Sequence, residues 1–170
     1  MKKTVLCLAV LLLLAISLTS CYVNIPTDYE FEYGTEGITS IEIYYFPEGV
    51  VDIDPEIHTP VAVLEESQHA DILKDIEEMR FTRFQMLVPI PTDPPYDLRG
   101  YVVRINYELG DYEDISNGVQ KFRQFRDGEW KHGSKFLDCD ETEWKNMIYK
   151  HAPELMPGVP IGTAEPETEA

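Results

Sequence analysis

The sequence predicts an α+β fold: an antiparallel sheet of about five to seven short strands, with two helices packed on one face. Three observations lead there. Several stretches alternate apolar and polar residues with the two-residue period of half-buried strands. Two hairpin dipeptides, Asn117-Gly118 and Asp127-Gly128, separate consecutive stretches of this kind. Two segments of helical period flank the strand run instead of alternating with it.

The elements follow in order. In Ile38–Phe46, Ile41, Ile43 and Tyr45 alternate with Glu42 and Tyr44, and Pro47 closes the run. Residues 59–65 form a shorter strand candidate. Ser67 offers a cap for a helix over 68–79, where Ile72, Leu73, Ile76 and Met79 share one face. Residues 80–88 read as another strand. Pro89, Pro91, Pro94 and Pro95 lack the N–H that a sheet ladder needs, so that stretch must leave the sheet. Residues 99–109 place Tyr101, Val103, Ile105 and Tyr107 on one side. Strands over 112–116, 119–126 and 129–137 then complete a meander. Asp140 caps a final helix, with Glu143 placed for a capping box and Trp144, Met147, Ile148 and His151 on its inner face. These elements bound a single domain over 38–156. Residues 21–37 are expected to be an acidic tether. The Pro- and Glu-rich stretch 157–170 is expected to be a disordered tail.

The first residues carry a different message. Lys2 and Lys3 precede an apolar run of roughly 15 residues, where a membrane-spanning helix needs about 20. Leu18-Thr19-Ser20-Cys21 closes it. This ending resembles the lipobox of bacterial lipoproteins, a resemblance confined to residues 1–21. It implies a signal peptide over residues 1–20 and diacylglycerol on the Cys21 thiol. The protein would then sit on the outer face of the bacterial cytoplasmic membrane, or on a periplasmic leaflet, with membrane lipid as its first partner. Two acyl chains give stable anchoring where one gives only marginal binding.

Composition narrows the function classes. The net charge is −17, and loss of Lys2 and Lys3 with the leader takes it to −19. Such a charge opposes nucleic-acid binding, which demands Lys and Arg against phosphates. It also repels anionic headgroups, so the domain is expected to hang from its anchor. Of three cysteines, Cys7 leaves with the leader and Cys21 is committed to lipid. Only Cys139 remains, so no intrachain disulfide is available, and its neighbours Asp138 and Asp140 would raise its pKa. The mature chain of about 150 residues is long enough to stand on a hydrophobic core.

No motif for nucleophilic, phosphate-cradling or zinc chemistry occurs, and no cofactor or metal is expected. Asp52, Asp54 and Glu56, and Asp138, Asp140, Glu141 and Glu143, are oxygen-rich clusters without the EF-hand pattern. The most distinctive surface is the hairpin 119–135. Lys121, Arg123, Arg126, Trp130 and Lys131 bring basic and aromatic character to an otherwise acidic chain. Phe122 and Phe125 break strict alternation there, which suggests a bulge. Tyr96 on the proline loop is a second contact candidate. The plainer alternative makes the rings core and the basic residues a solvated face.

The sequence therefore favours a non-catalytic binding or accessory module at the cell surface, with an envelope protein or polyanionic glycan as partner. The alternatives are a small envelope hydrolase with converging carboxylates, and an inhibitor of an exported enzyme. The lipobox reading predicts that a fatty-acid label enters the wild-type chain and is absent from Cys21→Ala, measured by metabolic labelling; label persisting in the variant contradicts it.

Overall fold

The architecture comes from a computed structural model, which describes residues 22–86 and 97–158. Among the described residues eight strands form one antiparallel sheet: β1 (Tyr22–Thr27), β2 (Ile38–Val50), β3 (Ala62–Val63), β4 (Phe81–Met86), β5 (Leu98–Tyr107), β6 (Tyr112–Ile115), β7 (Val119–Arg126) and β8 (Glu129–Asp138). Helices α1 (Glu66–Glu78) and α2 (Glu141–His151) complete the fold, and a 3₁₀ turn over Pro153–Leu155 follows α2. The spatial order is β1-β4-β8-β7-β6-β5-β2-β3. The expected α+β class, an antiparallel sheet with two helices on it, is the architecture observed.

Cross-strand pairing sorts the side chains onto two faces. Ile41 and Ile43 of β2 stand opposite Ile105 and Val103 of β5, and all four are fully shielded. They join Ile72, Leu73 and Ile76 of α1 and Trp144, Met147 and Ile148 of α2 in the main core. Both helices thus cover the same face. Each fully buried Ile contributes about 1.5–3 kcal/mol relative to exposure. On the other face Tyr44, Leu98, Val102 and Val119 form a smaller cluster, closed by Ile53 from the loop after β2.

The helices are tied at their ends. α1 starts at Glu66 rather than beyond Ser67, because Gln68 Oε1 accepts from the Glu65 backbone N–H at 3.0 Å. Gln68 Nε2 donates to the His151 carbonyl at 3.2 Å, joining the start of α1 to the end of α2. Asp75 meets both Lys150 (2.6 Å) and His151 Nε2 (2.5 Å). Burial would raise the Asp75 carboxyl, but the hydrogen bonds from Lys150 and His151 outweigh it and hold it below its usual value. At α2, Asp140 Oδ1 accepts from the Thr142 and Glu143 N–H groups at 2.9 Å. Trp144 Nε1 donates to the Tyr101 carbonyl at 3.0 Å.

Two expectations meet a different structure. The stretch read as a tether contributes β1, paired with β4 from Tyr22↔Met86 to Thr27↔Phe81. Its Tyr29 lies in the core, with Phe31 and Tyr33 packed against it. The reason is a buried acceptor: Glu113, on the helix-facing side of β6, takes hydrogen bonds from Tyr29 Oη, from the Glu32 N–H (3.0 Å) and from Gln120 Nε2 (2.5 Å). Burial raises the Glu113 carboxyl, and these donors oppose the rise. The bulge expected in the 119–135 hairpin is missing as well. β7 and β8 pair without interruption from Val119↔Phe136 to Arg126↔Glu129, so Phe122 and Phe125 simply point to opposite faces. At Asn117-Gly118, Ser116 bonds Val119 across the turn. The Asn117 and Gly118 carbonyls accept from Cys139 and Leu137 N–H, extending the sheet. Both dipeptides thus join antiparallel strands as expected, Asp127-Gly128 in a tight turn with φ of 54° and 80°.

Gly133 makes room for Phe122. A Cβ at Gly133 would overlap the Phe122 ring, which lies across it from the paired position on β7. Gly133→Ala is expected to destabilise the fold by about 1–3 kcal/mol in denaturant unfolding, whereas on a Phe122→Ala background the same change should cost close to nothing. Equal costs on both backgrounds would contradict this packing.

Candidate functional site

The helix-free face carries a row of alternating rings and cations that crosses five adjacent strands. It starts at buried Tyr44 on β2. The Arg104 guanidinium of β5 lies 6.0 Å from the Tyr44 ring centre and 4.2 Å from that of Tyr112 on β6. Arg123 of β7 lies 5.9 Å from the Tyr112 ring and 3.7 Å from that of Trp130 on β8. The alignment follows from register. Tyr112 pairs with Arg123, Arg104 with Asp114 and Phe125 with Trp130, so these side chains share one face.

The row is buried at one end and open at the other. Arg104 is 3% exposed and grips Asp114 through two parallel bonds, Nε–Oδ1 at 2.7 Å and Nη2–Oδ2 at 2.8 Å. Its Nη2 also donates to the Ile53 carbonyl at 3.2 Å. Burial raises the Asp114 carboxyl and the guanidinium works against that rise. At the open end Trp130 is 39% exposed and Phe125 53%, with ring centres 5.1 Å apart. Arg123 differs from Arg104: among the described residues it has no carboxylate partner, and its buried Nε has no hydrogen-bond acceptor. A guanidinium held between two rings and left without an anion is arranged to receive one.

The hairpin candidates are divided by this geometry. Arg123 and Trp130 come together in the row. Lys121 is spent on structure: its Nζ donates to the Val51 carbonyl and lies 3.5 Å from Asp52, which clamps the loop after β2 onto the sheet. Lys131, opposite Gln124, is exposed on the other face and pairs with Asp127 at 3.3 Å. Arg126 belongs to β7, but its side chain, like Tyr96 and Cys21, lies outside the described residues. Lys135 pairs with Glu32 at 2.8 Å. Sequence reasoning did not connect Arg104 and Tyr112 to the hairpin; Tyr112-Glu-Asp-Ile, read as a strand, carries the signal only once its register with β7 is known.

The remaining chemical candidates are engaged elsewhere. Asp54 caps its own loop, accepting from the Glu56 N–H, while His58 Nδ1 accepts from the Asp54 N–H. Among the described residues no three His, Cys, Asp or Glu side chains group as metal ligands. Burial first, then Asp138, Glu143 and Asp140, push the Cys139 thiol up to about 12. Such a thiol is a poor nucleophile at neutral pH. An open groove of about 460 Å³ lies between α1 and residues 35–38, with His69, Glu66, Lys74 and Glu77 on its walls. No helix among the described residues is long and apolar enough to cross a membrane.

No protein-family model matches this chain, and no match is found among curated proteins or solved structures.

Asp114→Ala would strand a buried guanidinium, with an expected loss of about 3–5 kcal/mol in denaturant unfolding. The double change Arg104→Met, Asp114→Leu should recover most of that loss. A single variant as stable as wild type would show that the pair is not desolvated as described.

Proposed function

We propose that the chain is a lipid-anchored, extracytoplasmic binding module that performs no covalent chemistry and meets its ligand at the open end of the ring-cation row. The observation that carries this reading is Arg123, a cation stacked on Trp130 with no anion of its own among the described residues of a strongly acidic protein. The fitting ligand presents a carboxylate, sulfate or phosphate beside an apolar or ring surface. A polyanionic envelope glycan or an acidic patch of an envelope protein has that chemistry. The anchor keeps the module near such partners, and a high local concentration compensates for modest affinity.

The shifted carboxylates also favour a non-catalytic reading. Glu113 and Asp114 are adjacent in sequence but face opposite sides of the sheet, each buried among its own donors. Asp75 borders an interhelical groove, yet Lys150 and His151 occupy its oxygens. A glycosidase needs two acids facing one another across a cleft, and these three do not.

The test titrates the protein with a defined polyuronic acid and compares Arg123→Ala with wild type. Binding that weakens about tenfold in the variant, and falls with added salt, supports the reading. Crosslinking on intact cells should likewise lose its main product in the variant. Equal binding and an unchanged product would overturn it.

A further inference from the structure

We infer that the tip of the β7–β8 hairpin, together with the turn joining β5 to β6, is a second membrane contact seated in the bilayer interface beneath the lipid anchor. This rests on the anchor proposed above and names the surface against which the module works.

Cys21 is bonded directly to Tyr22, the first residue of β1. An acylated Cys21 would therefore hold the end of a sheet strand, not a flexible leash, at the headgroup level. Strand register then locates the rest of that end. Tyr22 pairs with Met86, and β4 pairs with β8 at Thr82↔Asp138 and Arg83↔Leu137. Carried along the strands, this register sets Met86 level with Ser134. β8 begins five residues further out, at Glu129. At about 3.3 Å per residue, the tip projects up to roughly 16 Å past the anchored end. Sheet twist shortens that reach without reversing its direction. With β1 in the sheet and the strands directed towards the bilayer, the tip is the part of this end that reaches the interface first.

The surface delivered to that depth has interfacial chemistry. Leu109 is 81% exposed, Phe125 53% and Trp130 39%. The β5–β6 turn adjoins the hairpin, since the Phe125 N–H donates to Asp111 Oδ1 at 3.1 Å. Trp rings, flanked by Arg and Lys, favour the zone between headgroups and acyl chains. At the tip Arg126 and Lys131 offset Asp127 and Glu129, whereas the chain as a whole is at −17. This balanced end meets less repulsion from anionic headgroups than the chain average does. Arg123, further along the open face, then stands at the bilayer surface, so the anion that reaches it is one presented there.

The experiment places the lipidated protein in phosphatidylcholine–phosphatidylglycerol vesicles with brominated acyl chains and reads tryptophan emission. Trp130 should lose about half its intensity or more, while buried Trp144 serves as the unquenched reference in a Trp130→Phe variant. Intact mass reports separately whether Cys21 carries diacylglycerol. If it does and Trp130 is not quenched, the tip contact is overturned and the anchor stands. If it does not, the anchor reading fails; the mature chain is then coupled through Cys21 to a maleimide lipid in the same vesicles, Cys139 being too weak a nucleophile to compete. Quenching in that geometry supports the contact, and its absence overturns it.

Discussion

The salt bridge between Arg104 and Asp114 is the interaction on which the functional face depends. Two charges taken out of water cost several kcal/mol each unless their geometry is nearly ideal, and here both guanidinium bonds are short and parallel. The pair locks β5 against β6 in one register. Through the Ile53 carbonyl it also fixes the loop that closes the minor core. Once Arg104 is fixed, Tyr112 lies on one side of it and positions Arg123 beyond. A hydrophobic pair would hold the strands as well. It would not set a ring at the spacing that orients a second guanidinium.

Two faces of one sheet therefore serve different ends. The face under α1 and α2 is an apolar core in which buried Glu113 draws residues 29–33 onto the sheet. Among the described residues, the other face is sealed over β2 and β5 alone, by the loop around Ile53. Over β7 and β8 it is open, with His132 and Ser134 exposed beside Arg123. The uncovered half of the sheet coincides with the basic hairpin. The proposed binding surface thus lies where the described fold runs out of covering elements rather than in a cavity.

The fold was legible wherever a local period governs. Ile41 and Ile43, the helix face of Ile72 and Ile76, the Asp140 cap and the Asp127-Gly128 turn all rest on spacing within a few residues. The misread parts depend on distant partners. β1 carries Pro26 and acidic neighbours, so its local signal is that of a linker; its place is fixed by β4, some sixty residues later. Tyr29 belongs to the core only because Glu113 awaits it across 84 positions. The site was half visible for the same reason. Composition singled out Arg123 and Trp130, whereas the link from Arg123 through Tyr112 to Arg104 requires the register of three strands. Nor could spacing reveal that Lys121 is consumed by the Val51 carbonyl.

The outer margins of the sheet have one more consequence. β3 is two residues long, β1 contains Pro26, and Pro47 interrupts the stretch of β2 that β3 leaves uncovered. Unpaired backbone along a sheet rim invites another chain to add on, and short strands and prolines discourage it. Copies anchored in one leaflet, as proposed above, would meet side by side, the arrangement in which such templating is fastest. Rims of this kind would leave such copies a dispersed population instead of a growing fibre.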